Sequence, residues 1–453
     1  MGICGGDGAA KLLGISHADV TQAALIPVAY SGRFSLKAFA LTLYESVPMT
    51  TKNHREKPAA IFDDPYPFYA HLRESDPVHF HEETKAWFLL RYADVATCLR
   101  DTDTFSSQRL RSMLVPQLAD MALDSLRFYQ YEIDNMLFCD GERHTIRRNL
   151  ASRAFVPAAV ERLRPQIQQA TDGLIDQLAN KPAFDFVAEF SSKLPVQMIC
   201  DMFAVPEPMR QDFVTWTHSM SRLLGGSSDM RGTLEAAEEH VVAFHDYIEH
   251  LIRQRRRAPG SDVLSLMIAN QGHNHLSDHQ VAIQAVQIIA AGHITTVDML
   301  GNAMVALLRH PEQLTKLKDD LSLIDSAVEE MFRYDTSIPL THRVATRDVE
   351  IDGKTIRSGD LVFPVIAAAN RDPAIFDDPD VFDIGRQHNV HLTFISGPHV
   401  CVGAMLARLE LHIAFTTLLQ RLGELQLCED GLAWKQGHLM LRGPARLHLE
   451  IKK

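Results

Sequence analysis

Residues 278–309, DHQVAIQAVQIIAAGHITTVDMLGNAMVALLR, constrain the fold of this chain more than any other stretch. Their apolar positions recur on most faces of a helix rather than on one stripe, so the helix must cross a core and be surrounded by other elements. Ser277 stands where an N-cap is needed. Further helical periods run over 143–154, 158–179, 186–203, 208–224 and 232–256, and SAVEEMFRYD gives another. VHFHEETKAWFLL alternates around a turn and predicts a hairpin. DVEIDGKTI carries the Asp-Gly hairpin signal, with Val349 and Ile351 expected opposite Thr355 and Ile356. Helix dominates and strand is minor, so one large, mainly α domain is expected.

Composition removes several function classes. The chain has 453 residues, 46% of them hydrophobic and 23% charged, with a formal charge of −12 that argues against nucleic-acid binding. Its cysteines (Cys4, Cys98, Cys139, Cys200, Cys401, Cys428) are scattered without a C-x-x-C pair, as suits a reducing cytoplasm rather than a disulfide framework or zinc ribbon. Residues 1–57 hold apolar pieces broken by Pro27, Ser31, Gly32 and Arg33, too short for a membrane span and without the basic start of a signal peptide. They are expected to be an N-terminal extension, disordered or weakly docked, before a domain at 58–453. His273, His275 and His279 precede the long helix in a polar loop and are read as solvated rather than metal-binding.

The stretch FISGPHVCVGAMLARLEL (394–411) places Cys401 between a Gly/Pro loop and an apolar helix. A thiol at a helix N-terminus meets the positive end of the macrodipole and free N–H groups, which favour the thiolate. Alone, such a cysteine reads first as a small core residue. Three other segments are similarly ambiguous. Glu330 and Arg333 share a helix face at i,i+3, either as an exposed pair or as part of a buried network. His144 and Arg148 in DGERHTIRRNL share another, either as a basic solvent face or as anion partners, with Arg147 expected to point outward. Ala291-Gly292 followed by Thr295 lies inside the long helix, where a threonine hydroxyl can bond a carbonyl one turn back and open a local bulge.

Taken together these segments resemble the cytochrome P-450 family of the soluble bacterial type. The pattern F-x-x-G-x-H-x-C-x-G-x-x-L-A is filled by Phe394, Gly397, His399, Cys401, Gly403, Leu406 and Ala407, and the resemblance covers roughly residues 61–453. It implies a single large fold with a long central oxygen-binding helix and minor β-sheets. It implies haem b (iron protoporphyrin IX) with Cys401 as the iron ligand, and His144, Arg148, Arg343 and His399 as partners of the haem propionates. It implies a Glu330–Arg333–Arg386 network bracing the cysteine loop, and an oxygen-side groove at Ala291, Gly292 and Thr295. Two positions depart from the family pattern: Ile395 stands where many members have glycine, and Ile294 where an acid usually precedes the threonine. Isoleucine cannot relay protons, and His293 and Thr296 are turned about 100° from their neighbours on the helix, so neither replaces the acid.

The implied activity is that of a haem-thiolate monooxygenase, inserting one atom of dioxygen into a mainly apolar, small to medium substrate in secondary metabolism. The chain ends soon after Cys401, so electrons are expected from separate proteins, a ferredoxin and its reductase, serving a cytoplasmic monomer; Arg408 is expected to face that partner. Arg109, Arg111 and Arg127 are expected on the substrate access side, with the segment around Phe213–Met230. Two alternatives stand beside this reading: a peroxide-driven oxidase, prompted by Ile294, and a non-catalytic haem sensor or binding module.

Overall fold

The computed structural model describes residues 60–452 apart from 83, 119–120, 225–229, 275 and 437–439. The extension expected at 1–57 lies outside the described residues. Helix α1 (Tyr66–Ser75) leads into the hairpin β1 (Val78–His81) and β2 (Ala86–Leu89), then α2 (Tyr92–Arg100) and β3 (Phe105–Ser106). A helical stretch follows: α3 (Leu110–Leu118), α4 (Arg127–Glu132), α5 (Gly141–Ser152) and α6 (Arg164–Leu178). After strand β4 (Ala183–Asp185) come α7 (Lys193–Met202), α8 (Arg210–Leu224), α9 (Met230–Arg257) and α10 (Val263–Asn274). The long α11 (Asp278–Arg309) is followed by α12 (Pro311–Asp319) and α13 (Ile324–Tyr334). Strands β5 (Arg343–Ala345), β6 (Val349–Ile351), β7 (Lys354–Ile356) and β8 (Leu361–Pro364) precede the cysteine loop, and α14 (Ala404–Arg421), β9 (Glu424–Trp434) and β10 (Pro444–Lys452) follow it.

Helix α11 begins where the sequence places it. Ser277 Oγ accepts from the Gln280 N–H at 3.2 Å and Gln280 Oε1 accepts from the Ser277 N–H at 2.9 Å, a reciprocal cap. The helix packs against α7, α8, α9 and α13. It is the one helix among the described residues long and apolar enough to cross a membrane, yet 83% of its most apolar window is buried inside the protein, which makes it the core's axis. Several of its polar groups find partners within that core: Gln284 Nε2 donates to the Asp134 carbonyl (2.9 Å), and Asn302 Nδ2 donates to the carbonyls of Asp335 (3.1 Å) and Arg442 (3.0 Å). At Gly301 a Cβ would lie 2.5 Å from Pro444 Cγ, so the glycine is what allows β10 to lie against the axis.

Two expected helices are broken. The 158–179 period divides into a turn at Pro157–Glu161 and α6, because Pro165 lacks the N–H that would bond the Glu161 carbonyl. The 186–203 period begins as a wide π turn over Val187–Ser191, with the Ser192 N–H reaching the Val187 carbonyl, before α7 starts ahead of Pro195. The strands form a five-stranded sheet in the order β1-β2-β8-β5-β3, a three-stranded sheet β4-β10-β9 and the hairpin β6-β7. The hairpin's register corrects the expected pairing. Asp352 and Gly353, both at positive φ, make a two-residue turn, so Val349 faces Ile356 and Ile351 faces Lys354.

Candidate active site: a cysteine loop, a cationic cluster and one open face of the axis

From Val281 to Leu307, α11 is buried at every position except Ala291, Gly292 and Thr295, which lie on one side of the helix. Thr295 Oγ1 donates to the Ala291 carbonyl at 2.8 Å and Thr296 Oγ1 to that of Gly292 at 3.1 Å. These bonds form without the expected bulge: the helix continues unbroken. Gly292 also serves packing, since a Cβ there would lie 3.3 Å from Ile199 Cδ1. Ile294 is buried. His293 turns away from the open face, its Nδ1 sharing a hydrogen bond with Thr217 Oγ1 at 3.0 Å and its ring stacking on His218. Burial, with the neighbouring His218 and Lys435, holds its pKa down at about 3.

The cysteine loop is folded by its own backbone. The Cys401 N–H donates to the Phe394 carbonyl at 3.0 Å and the Ile395 N–H to that of Leu392 at 2.7 Å. Gly397 has φ +80°, and a Cβ on it would approach Arg100 Cα to 2.9 Å, so glycine is required twice over. Ile395 takes φ 53°, a left-handed conformation that a β-branched residue adopts only when its surroundings impose it. The Phe394 ring packs on Phe332 at 4.6 Å and carries the Arg408 guanidinium at 4.4 Å. Cys401 is exposed, with the N–H groups of Gly403 and Ala404 directed at its sulfur. Protein crowding around the thiol pushes its pKa up, while those N–H groups, Arg148 and Arg408 pull towards the thiolate.

Behind the loop lies a cluster of cations and imidazoles. The rings of His144 (α5) and His399 are 4.0 Å apart. Arg148 is half-buried and felt electrostatically by Cys401. Arg343 is 2% exposed, donates to the His342 carbonyl at 2.8 Å, and leaves its Nε without a partner. The cluster gathers around Asp140, a residue that sequence reasoning missed. Asp140 accepts from Ser106 Oγ (2.6 Å), the Ser107 N–H (2.9 Å) and His399 Nε2 (3.2 Å). Burial alone would raise its pKa, but the bonds from His399 and Ser106 bring it below the usual carboxylate range. Burial, then the nearby His399 and Arg148, lowers His144 to about 4.

Arg147 does not point outward. It is buried, donates from Nε to the Asp134 carbonyl at 2.8 Å and forms an ion pair with the Asp134 carboxylate, which anchors α5 to the segment before it. Arg109 is also buried. Arg111 and Arg127 remain near the surface, bonded to Asp124 and to Tyr131. His279 shares a hydrogen bond with Glu249 at 2.7 Å; His275 and the His273 side chain lie outside the described residues.

The trio Glu330, Arg333 and Arg386 is assembled. Arg333 forks onto Glu330 at 2.7 and 2.8 Å, and Arg386 Nε donates to Glu330 Oε2 at 3.1 Å. Arg333 spends its remaining donors on the carbonyls of Asn370, Pro379 and Val381. Asn370, also missed, carries this brace to the loop: its Oδ1 accepts from the Leu392 N–H at 2.7 Å and its Nδ2 donates to Thr393 Oγ1 at 2.9 Å. Arg408 is engaged within the molecule, donating to both oxygens of Glu329 at 2.5 and 2.9 Å, with His391 on the same carboxylate. Burial opposes the Glu329 charge, but His391 and Arg408 bring its pKa down to about 2.

Residues 117–438 match the family model described as Cytochrome P450. The chain is 36% identical over 368 residues to the biotin biosynthesis cytochrome P450 of Bacillus subtilis (strain 168), covering 81% of this chain and 91% of that one. It is 36% identical over 372 residues to the cytochrome P450 monooxygenase PikC of Streptomyces venezuelae, covering 80% and 85%. The crystal structure of P450BioI in complex with hexadec-9Z-enoic acid ligated acyl carrier protein superposes with a TM-score of 0.78 at 32% identity, over 87% of this chain and 100% of that one. A mainly helical fold with minor sheets, built around one long axis, is therefore that of a haem-dependent oxidoreductase. The chain belongs to the cytochrome P450 family. It is a monooxygenase with haem b as its cofactor, and the relatives favour neither the peroxide-driven nor the non-catalytic alternative.

Proposed function

We propose that Cys401 Sγ would hold the iron of haem b, that His144, Arg148, Arg343 and His399 would receive its two carboxylates, and that Ala291, Gly292 and Thr295 would border the oxygen side. Phe394, Gly397 and Gly403 shape the loop beneath. The observation that carries this reading is Arg343, a buried guanidinium with an unpaired Nε, facing one carboxylate, Asp140, that is already engaged. A cation so placed calls for an anion from outside the chain. The residues present fit a group with two carboxylates and a thiolate-seeking metal.

The thiolate-bound haem supplies the activation of dioxygen and the insertion of one oxygen atom. The chain's own residues do the rest. The Gly403 and Ala404 N–H groups and the start of α14 pull the Cys401 sulfur towards the thiolate, against the burial that favours the thiol. Thr295 keeps its hydroxyl proton on the Ala291 carbonyl and leaves its lone pairs free to accept from water. Buried Ile294 relays nothing and His293 faces Thr217, so protons arrive through water ordered at Thr295 or through groups on the substrate.

The proposed substrate is mainly apolar, an acyl chain free or bound to a carrier protein, in a cytoplasmic biosynthetic route. The likeness to a biotin biosynthesis enzyme and to a structure holding an acylated carrier protein supports this. A ferredoxin and its reductase are the proposed electron donors. Val400 and Met405, 40% and 43% exposed beside Cys401, offer an apolar contact for a small redox protein. The test is a panel of fatty acids, acyl-carrier thioesters and polyketide lactones, screened by Soret shift and then by turnover with surrogate ferredoxin, reductase and dioxygen. Acyl compounds are expected to shift the band and to be oxidised. Shifts and products from the lactones alone would replace the acyl assignment, and turnover with peroxide but not with dioxygen and reductase would overturn the mechanism.

A further inference from the structure

Arg109 lies between β3 and α3 at the edge of the cationic cluster. It is 6% exposed, lies over the Phe138 ring at 5.0 Å, and donates through Nη1 to the carbonyls of Ser107 (3.2 Å) and Leu137 (2.8 Å). Its Nε has no partner, like that of Arg343, the other cation it faces. Among the described residues, Asp140 is the carboxylate that both arginines face, and its oxygens are taken by Ser106, Ser107 and His399. Guanidinium groups keep their protons in proteins, so buried Arg109 and Arg343 set two positive charges against the one of Asp140, and half-buried Arg148, which reaches the cluster beside His144, adds a third. The shortfall is two negative charges. Haem b brings two carboxylates, and its iron, porphyrin and thiolate balance among themselves in the ferric state.

We infer that Arg109 is a third arginine for the haem carboxylates, acting with Arg148 and Arg343 to position the cofactor. This rests on the haem assignment proposed above for Arg343. It also gives the segment leading into α3 a direct tie to the cofactor, so that haem and the start of the access side are held by one guanidinium.

The test compares holoenzymes carrying Arg109→Gln, Arg109→Lys and, as the reference, Arg343→Gln. Two readouts are taken: transfer of haem to excess apomyoglobin, and the haem reduction potential without substrate. Arg109→Gln should release haem about tenfold faster or more, as expected for a lost charge-assisted hydrogen bond. Its potential should fall, because a cation beside the haem favours the reduced state. Arg109→Lys keeps the charge and should restore the potential, which a purely structural role through the Leu137 carbonyl would not. Should Arg109→Gln yield no holoenzyme, recovery of haem content and native potential by Arg109→Lys supports the proposal, and failure to recover overturns it. Unchanged release and potential in Arg109→Gln, with release accelerated in Arg343→Gln, overturn the proposal alone. The same is true if haem release is native and only fatty-acid affinity drops, which would assign Arg109 to a substrate carboxylate. No change in either variant would overturn the haem assignment of Arg343 as well.

Discussion

Glu330 receives both prongs of the Arg333 guanidinium, at 2.7 and 2.8 Å, with neither side chain exposed. The Asp383 N–H, Asn389 Nδ2 and Arg386 Nε fill the carboxylate's remaining positions, so no charge in the group is left without a partner. Removing one member therefore costs more than the pair contributes. Glu330→Gln should destabilise the protein by about 3–5 kcal/mol and sharply reduce haem content, read by chemical denaturation and the haem-to-protein absorbance ratio. Arg386→Gln, at a more exposed site, should cost less. Equal losses in the two variants would remove Glu330 from its central place.

Two glycines of the cysteine loop should respond oppositely. Gly397→Ala forces a Cβ onto backbone at a positive φ, 2.9 Å from Arg100 Cα, and should cost more than about 2 kcal/mol. Gly403→Ala meets no protein atom within 4 Å at a φ of −88°, and should leave the protein's stability within about 0.5 kcal/mol of native. Thermal denaturation separates the two. If Gly403→Ala nonetheless weakens haem retention, the methyl is meeting the haem rather than the chain.

Glu132 is buried on α4, accepts from Asn135 Nδ2 at 2.8 Å, and is pushed by burial up to about 8. In the unfolded chain a glutamate titrates near 4.3. Between those values the folded state holds a proton that the unfolded state has released, so stability falls as pH rises from roughly 4.5 to 8. Glu132→Gln keeps an acceptor for Asn135 and removes the titration. It should gain about 2–4 kcal/mol at pH 8 and flatten the profile over that window, as measured by denaturant midpoints at several pH values. An unchanged slope would mean that Glu132 is ionised in the folded protein.

The buried Ile294 side chain sits next to the one hydroxyl on the open face of α11. Ile294→Glu should change the fraction of consumed reductant that ends as peroxide, and Thr295→Ala should raise that fraction several-fold. The readout is peroxide formed per reductant oxidised, with product measured in parallel. An identical ratio in Ile294→Glu would show that proton supply does not pass that position.

What could be read from sequence followed the range of the interactions. Ser277 caps α11 within its first turn and Glu330 meets Arg333 across three residues, so spacing marked both, but it took the family resemblance to set that pair in a network with Arg386. The Gly/Pro context of Cys401 was equally local. Asp140, Asn370 and Glu329 escaped notice because their partners, His399, Leu392 and Arg408, come from remote segments. Arg147 and Arg148 are adjacent and chemically identical; which one turns inward to a neighbouring loop depends on where Asp134 sits, and that is a tertiary fact. The breaks near Pro165 and Pro195 were visible as prolines, but periodicity continued across them and hid the division.

The single opening along α11 also bears on how this enzyme can be redesigned. Of the three side chains offered there, Gly292 has none and Ala291 only a methyl, so on the proposed assignment of this face to the oxygen side the helix would lend little shape to a bound compound. Mutant libraries aimed at new substrates gain little from randomising the axis, where nearly every other position is committed to packing.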